Sequence, residues 1–322
     1  MTVLPRLSRR TLLAALAAAP LSATMLSACG DDEPAAAGGQ PLRIGYQRFG
    51  GLSLVKARNA ADPKATWSLF ESGPALTEGL KAKSIDLGQT GEAPPIFAAA
   101  GKVDFKIIGT SAPVPKGEAV LVKQAKGFTS FADLKGKSVA LNKGSNVNWL
   151  LVKLLEKHKL TLDDIEVKYL KPAEARPAFD SDQVDAWIIW DPYFALAEQP
   201  GVAVLEDATG LASNREYLLV DPGALEQKTD KIREFLQQYR TVTDWGIAHP
   251  AERAAVLAPE LKIELDVTTR ALSRSAQPLA AVTPEIGDEL QAIADGFAEL
   301  KLIPEKIDIK SRVDGRFAEV LK

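Results

Sequence analysis

Residues 138–155 read SVALNKGSNVNWLLVKLL, and this stretch decides the fold. Its first four residues have the length and apolar character of a buried strand, and Lys143-Gly144 then supplies a turn. Ser145 stands at the N-cap position of the helix that follows. The apolar residues of that helix recur on one face: Val147, Leu150, Leu151, Leu154 and Leu155. A strand, a glycine turn and a capped helix leave backbone N–H groups at the edge of a sheet, where they favour an anion.

The same alternation of short apolar runs and helical periodicity continues on both sides of this stretch. It predicts an α/β fold with mostly parallel sheets and helices on both faces. The predicted strands are 42–46, 67–70, 105–110, 119–122, 138–141, 165–170, 186–189 and 217–220. The predicted helices among them are 74–83, 93–100, 146–158, 173–180 and 192–198. Beyond Val220 helices dominate, at 228–248, 250–258, 265–275 and 284–300.

The composition excludes several classes of protein. The chain has 322 residues, of which 46% are hydrophobic and 25% charged, which is enough for two domains with cores of their own. A single cysteine excludes an internal disulfide, a CxxC redox pair and a thiolate zinc site. The formal net charge is −3 and the basic residues are spread along the chain, which does not support nucleic-acid binding. We therefore expect a two-domain protein without a metal or other cofactor.

The first 28 residues have the pattern of an export signal. Arg6, Arg9 and Arg10 precede an Ala/Leu-rich run, and no acidic residue occurs before Asp31. A basic start, a short apolar run and small residues before a cleavage site are typical of a secretory signal. The run is too short and too weakly apolar for a good membrane span. The Arg pair also resembles the twin-arginine signal, which leaves the export route open.

The end of this run predicts a lipid anchor. Residues 26–30 read LSACG, which resembles a bacterial lipobox in which Cys29 is lipidated and becomes the first mature residue. Residues 29–40, rich in Ala, Gly and acidic side chains, then form a flexible tether. Acyl chains on Cys29 would anchor the protein to a membrane, since each buried CH₂ contributes roughly 0.8 kcal/mol. We expect an exported protein that faces the periplasm or the cell exterior.

Four short strings, in their order and spacing, resemble one family. They are GYQ at 45–47, TGEAPP at 90–95, ALNKGSNV at 140–147 and VDAWIIWDP at 184–192. Together they are similar to the aliphatic-sulfonate-binding proteins of ABC importers, in a group that includes taurine- and nitrate-binding proteins. The resemblance extends from about Leu42 to Ile309.

The resemblance implies a type II periplasmic-binding-protein fold, in which two α/β domains enclose the ligand. We expect residues 41–122 and 218–322 to form domain I and residues 123–217 to form domain II. The cleft would then be lined by the carboxyl ends of strands and the amino ends of helices.

Two strand-to-helix turns are the candidate anion anchors, one in each expected domain. The Thr90 hydroxyl and the N–H groups around Gly91 can point at one ligand oxygen, and Ser145 and Asn146 at another. A sulfonate keeps its charge when buried, so hydrogen-bond donors must replace its hydration. Anchors in both domains would couple binding to closure. The alternatives are a plain strand-to-helix turn at Thr90 and a plain N-cap at Ser145.

Trp190, Asp191 and Gln47 are further candidates at strand ends. The Trp190 indole can form a wall of the pocket against an alkyl chain while donating its N–H. Asp191 is favoured as a cap of the next helix over a direct ligand contact. Gln47 can donate an amide N–H to the ligand, with an exposed loop residue as the alternative.

Glu92 is unexpected beside an anion, because two negative charges repel unless a cation offsets them. We expect Glu92 to pair with Arg274 or Lys143, or to accept an amine from an aminosulfonate. Arg274 is assigned to the site because the resembling family carries Arg near this place.

These observations predict a solute-binding lipoprotein that captures an aliphatic sulfonate and delivers it to an ABC permease with its ATPase. Taurine, nitrate or another small sulfur-containing anion is the alternative ligand, and a secreted enzyme on the same frame is a second alternative. Against an enzyme, no nucleophile–base–acid set can be assembled from the sequence. A sensor that acts on a membrane receptor also stays open. We expect a monomer without a nucleic-acid partner.

Overall fold

The computed structural model describes residues 39–275 and 278–322. The export signal, Cys29 and all but the last two residues of the expected tether lie outside the described residues. The strands are β1 Arg43–Gln47, β2 Thr66–Phe70, β3 Leu87–Gly91, β4 Lys106–Ser111, β5 Glu118–Lys123, β6 Ser138–Leu141, β7 Glu166–Tyr169, β8 Ala186–Trp190, β9 Val202–Asp207, β10 Glu216–Val220 and β11 Leu279–Ala280.

As the sequence predicts, the helices dominate the chain after β10, where the three longest of those described lie. They are α1 Gly51–Ala57, α2 Gly73–Lys81, α3 Ala93–Ala100, α4 Val147–Lys157, α5 Pro172–Asp180, α6 Tyr193–Ala197, α7 Pro222–Gln227, α8 Thr229–Ala248, α9 Pro250–Leu261, α10 Leu265–Ser273 and α11 Pro284–Glu299. All eight predicted strands and all nine predicted helices have counterparts here. The sequence reading missed β3, β9, β11, α1 and α7.

The strands form two sheets. The first sheet has the order β11-β4-β10-β3-β1-β2, and the second has the order β7-β6-β8-β5-β9. In the first sheet β1 is parallel to β2 and β3, whereas β10 is antiparallel to β3 and β4. In the second sheet β6 is parallel to β7 and β8, whereas β5 is antiparallel to β8 and β9. The α/β class with two sheets is confirmed.

The division between the sheets differs from the expected boundary at residue 122. Strand β5 pairs with β8 and β9, so residues 118–123 belong to the second sheet. The chain therefore crosses between the sheets at 112–117 and again at 208–215. The apolar run 119–122 looks the same in sequence whichever sheet it joins, because only its hydrogen-bonding partners decide the sheet.

The cores explain why the two sheets are stable. In the second sheet β8 is apolar throughout, and its side chains alternate between two packed faces. Trp187 packs with Phe179 on one face, while Ile188 packs with the buried stripe of α4 on the other. The predicted apolar stripe of α8 packs against the first sheet and belongs to one core cluster with it: Ile232, Phe235, Leu236, Tyr239 and Val242.

Candidate functional site

A cleft opens between the two sheets, at the carboxyl ends of β1, β3 and β8. It encloses about 710 Å³ of space free of atoms, its open mouth included. Of the nine predicted ligand residues, seven line the cleft: Gln47, Thr90, Gly91, Ser145, Asn146, Trp190 and Asp191. Glu92 and Arg274 do not.

Thr90 places a hydroxyl group in the floor of the cleft. It is the fourth residue of β3, and its side chain is completely buried. Among the described residues its Oγ1 has no hydrogen-bond partner. Gly73, at the start of α2, makes room for this hydroxyl, because a Cβ there would clash with Thr90 Oγ1 and with Pro94. The cleft therefore contains a buried donor that a ligand oxygen could satisfy.

Asn146 joins the two sheets across the cleft. Its Oδ1 accepts a hydrogen bond from the N–H of Ala93, the first residue of α3, at 3.2 Å. Its Nδ2 donates to Asn214 Oδ1 at 2.8 Å, and Asn214 Nδ2 donates to the carbonyl of Val114 at 3.0 Å. A side chain from the second sheet thus caps a helix of the first. The contact links the two halves of the site without a charged group.

Gly91 is required by this contact, and substituting it gives a testable prediction. A Cβ at Gly91 would clash with the side-chain amide of Asn146. We expect Gly91→Ala to displace Asn146 from Ala93 and Asn214, and to lower the free energy of unfolding by about 1–2 kcal/mol for the lost hydrogen bonds. Chemical denaturation measures this. Gly315→Ala is the matched control, because a Cβ there meets nothing within 4 Å. Equal stability of the two variants would contradict the assigned role of Gly91.

Ser145 lies in the cleft, but it does not cap α4. The helix begins at Val147, with Asn146 at the N-cap position. The Ser145 hydroxyl donates instead to the carbonyl of Asn142 at 2.7 Å, and Asn148 Nδ2 donates to the same oxygen at 2.7 Å. The predicted N-cap is therefore wrong, because the chain keeps a tight turn over 142–145 before the helix begins.

Asp191 is held by Arg274 rather than pointing at ligand. The guanidinium donates to both carboxylate oxygens at 2.9 Å each, and the N–H of Ala195 donates to Oδ1 at 3.0 Å. Arg274 also pairs with Glu198 at 3.0 Å and lies over the Phe194 ring. Burial raises the pKa of Asp191 to about 6, although Arg274 opposes the rise. The Asp191 carboxylate therefore has a structural role, in line with the helix cap that the sequence favours over a direct ligand contact.

The expected cation partners of Glu92 are elsewhere, so that pairing is wrong. Arg274 is occupied by Asp191 and Glu198. The Lys143 amine lies over the ring of Tyr169, 5.6 Å from its centroid. Sequence could not exclude these pairs, since all three residues are distant in the chain and only the packing decides which charges meet.

Glu92 is instead a completely buried carboxyl group outside the residues that line the cleft. Its Oε2 accepts a hydrogen bond from the backbone N–H of Arg215 at 3.2 Å, and its Oε1 has no partner among the described residues. Burial raises its pKa to about 7. Glu118, which is also fully buried, has a pKa raised well above its ordinary value by burial and by Glu92. Burial favours the neutral acid form of Glu92, so its negative charge is suppressed by desolvation and not balanced by a cation.

Glu216 is a lining residue that the sequence analysis missed. It begins β10, and its carboxylate accepts a hydrogen bond from Gln89 Nε2. Burial raises its pKa to about 8, with Arg253 and the Gly51 N–H opposing the rise. The sequence does not indicate that Glu216 is a site residue, because residues 214–220, NREYLLV, have the pattern of the start of an ordinary strand.

The wall and the mouth of the cleft combine aromatic and charged groups. Trp190 and Tyr193 meet edge to face, with ring centroids 6.0 Å apart. Arg48 is the only basic side chain among the described lining residues, and the exposed carboxylate Glu71 lines the same cleft. Outside this mouth the cleft continues into a groove with an apolar side that includes Leu69. An anion inside the cleft must therefore be held mostly by neutral donors.

Within residues 39–275 and 278–322, no cluster of three or more His, Cys, Asp or Glu side chains is arranged to hold a metal ion. The helices of that same part of the chain include none with the length and apolar character needed to cross a membrane.

Comparisons with known proteins agree with this architecture. An aliphatic sulfonates-binding protein of Escherichia coli K12 is 36% identical over 283 residues, which cover 85% of this chain and 88% of that protein. The alkanesulfonate-binding protein SsuA of Xanthomonas axonopodis pv. citri, solved bound to MOPS, superposes with a TM-score of 0.83 at 32% identity, covering 87% of this chain and 100% of that one.

A second structure shares the fold alone. The desulfurization enzyme DSZB superposes with a TM-score of 0.64 at 14% identity, covering 86% of this chain and 97% of that one.

Residues 77–253 match the family described as NMT1/THI5 like. The chain belongs to that family and, within it, to the group of aliphatic sulfonate-binding proteins.

Proposed function

We propose that this chain captures an aliphatic sulfonate in the cleft and delivers it to the permease and ATPase of an ABC importer. The observation that carries the proposal is the buried Thr90 hydroxyl, which lines the cleft without a partner among the described residues. A buried polar group left unpaired costs about 1–3 kcal/mol. A sulfonate oxygen would remove that cost, since it accepts hydrogen bonds and stays ionised at physiological pH.

The rest of the cleft fits the two ends of such a ligand. Thr90 and Gly91 approach from the first sheet, while Ser145 and Asn146 approach from the second. We propose that a lobe around each sheet closes on the sulfonate, with the chain crossing between lobes at 112–117 and 208–215. The Trp190 indole would then cover the alkyl chain, because aromatic surface favours apolar contact.

The ligand class can be tested with a thermal-shift panel. A ligand that binds the native state raises apparent stability by RT ln(1 + [L]/Kd). We expect alkanesulfonates to raise the melting temperature in a concentration-dependent way, and sulfate and nitrate to raise it less. A stronger response to nitrate would favour the alternative anion. A flat response to every sulfonate would contradict the proposed function.

The enzyme alternative has a separate test. The proposal requires binding without turnover, whereas a solved protein with the same fold is named as a desulfurization enzyme. Incubation with the best-binding sulfonate, followed by mass spectrometry, should return the sulfonate intact. Release of sulfite or of a desulfonated product would overturn the proposal.

We also propose that the protein is exported and held at the membrane by lipid on Cys29, which lies outside the described residues. Cys29→Ser in the full chain should move the protein from the membrane fraction to the soluble fraction, because the acyl chains supply the anchoring energy. Thr24→Ser, within the same apolar run, is the matched control and should leave the protein with the membrane. Retention of the Cys29→Ser protein in the membrane fraction would argue against lipidation.

A further inference from the structure

Two buried acids lie at the junction of the two sheets, outside the residues that line the cleft. Glu92 follows β3 of the first sheet, and Glu118 begins β5 of the second. Both side chains are completely buried. Glu92 Oε1 and both carboxyl oxygens of Glu118 have no hydrogen-bond partner among the described residues. Buried polar atoms are normally paired, so this acid pair needs an explanation that the binding site does not supply.

The two chain crossings between the sheets contact the acid pair. Arg215 ends the second crossing, and its backbone N–H donates to Glu92 Oε2 at 3.2 Å. Gly117 ends the first crossing directly before Glu118, and a Cβ at Gly117 would lie 3.2 Å from Asn214 Nδ2 of the second crossing. The crossings therefore touch each other beside both acids. A movement of one lobe against the other would change the surroundings of the acid pair.

Three elements present charged or titratable groups to the acid pair. Arg215 faces Glu92, but its Nε donates to Glu289 at 3.1 Å. Glu289 of α11 and Tyr217 of β10 also face Glu92. The group that faces Glu118 is Glu92 itself. A single cation that already pairs with another carboxylate leaves the charge of an ionised acid pair largely uncompensated.

Burial makes the neutral form of the acid pair the favoured one. It raises the pKa of Glu92 to about 7, and burial together with Glu92 raises the pKa of Glu118 well above its ordinary value. In contact with water both values would return toward about 4.3. Near pH 7 the buried arrangement therefore binds protons that a more open one releases. Rising pH must then shift the balance toward the open arrangement.

We propose that Glu92 and Glu118 form a proton-dependent latch between the two lobes, which holds the cleft closed while both acids are neutral and opens it when they lose their protons. This inference rests on the proposed function, because it requires lobes that close on a sulfonate. The hydrogen bond between Asn146 Oδ1 and the Ala93 N–H joins the two sheets directly beside Glu92. Opening the latch would break that contact, so sulfonate binding should weaken as pH rises.

Titration calorimetry with 1-propanesulfonate tests the latch. In the wild-type chain the affinity should fall at least about tenfold between pH 6 and pH 8, with protons taken up on binding, because linkage allows about tenfold per pH unit for each proton. Glu118→Gln keeps the shape of the neutral acid and cannot ionise. It should bind as tightly as the wild type at pH 6 and lose most of the fall. Glu299→Gln, an exposed carboxylate on α11, is the matched control and should keep the wild-type fall.

A readout without ligand separates the latch from Glu216, which also titrates near this range and lines the cleft. Ionised Glu216 would repel a sulfonate without moving the lobes. Spin labels at Leu69→Cys on β2 and Ala173→Cys on α5, two exposed positions, report the width of the groove outside the cleft in a Cys29→Ser chain. The distance between the labels should increase from pH 6 to pH 8. Glu118→Gln should abolish the increase.

The outcomes separate the latch from the proposed function. A label distance that does not change with pH overturns the latch, even where the affinity falls, and it leaves sulfonate capture standing. A pH-dependent distance that persists in a folded Glu118→Gln protein also overturns the latch. Failure to bind propanesulfonate at any pH overturns the proposed function and the latch with it. The wild-type label distance tests the latch even where Glu118→Gln does not fold.

Discussion

Replacing Thr90 with valine should weaken sulfonate binding by about tenfold to hundredfold. A hydrogen bond to a charged partner is worth about 1.5–3 kcal/mol, and valine keeps the shape of threonine without its hydroxyl. The same change should leave the ligand-free protein equally stable or more stable, because the buried hydroxyl has no partner among the described residues. Calorimetry and chemical denaturation measure the two effects. Their opposite signs distinguish a ligand contact from a role in folding.

Thr269→Val is the matched control for that experiment. Thr269 is exposed on α10, and its hydroxyl donates to the Leu265 carbonyl at 2.7 Å, outside the cleft. The affinity of the Thr269→Val protein for sulfonates should equal that of the wild type. A Thr90→Val protein with wild-type affinity would show that the hydroxyl does not touch the ligand.

Replacing Arg274 with methionine should destabilise the folded protein by about 3–5 kcal/mol. The change leaves Asp191 without the one cation that it pairs with among the described residues, whereas Glu198 keeps Arg270. Removing one partner of a buried ion pair leaves the other charge buried and unpaired. Asp191 is almost completely buried, so it cannot recover its hydration. Chemical denaturation at pH 7 measures the loss.

The pH dependence and a second substitution check that cause. Burial already raises the pKa of Asp191 to about 6, and removal of Arg274 must raise it further. The folded protein then binds a proton that the unfolded chain releases, so the deficit of Arg274→Met should shrink as pH falls from 7 to 5. Adding Asp191→Asn should recover part of the loss at pH 7. A deficit that is independent of pH and unaffected by Asp191→Asn would mean that packing against Phe194 dominates.

Most of the fold could be predicted because its signals are local. The apolar run of β8 and the stripes of α4 and α8 fall where the sequence places them. Strand β3 was missed because LGQTG contains two glycines and two polar residues, which have low strand propensity. Its strand geometry comes from pairing with β1 and β10, which is information about partners distant in the chain.

In the candidate site, too, local features could be predicted and contacts between distant residues could not. Backbone features at strand ends, such as Thr90 and Gly91, were found because a strand followed by a helix start is visible in sequence. Partners across the cleft were not. Nothing near Asn146 in the chain indicates Ala93 as its partner, and nothing near Glu216 indicates Gln89 or Arg253. The predicted pairing of Glu92 with Arg274 or Lys143 was wrong for the same reason.

The central claim is that a sulfonate binds in the cleft through Thr90, and a crystal structure of the complex with 1-propanesulfonate tests it most directly. We predict one sulfonate between the two sheets, with an oxygen within hydrogen-bond distance of Thr90 Oγ1 and the alkyl chain against Trp190. A sulfonate bound elsewhere, or a bound sulfonate that leaves the Thr90 hydroxyl without a partner, would contradict the claim.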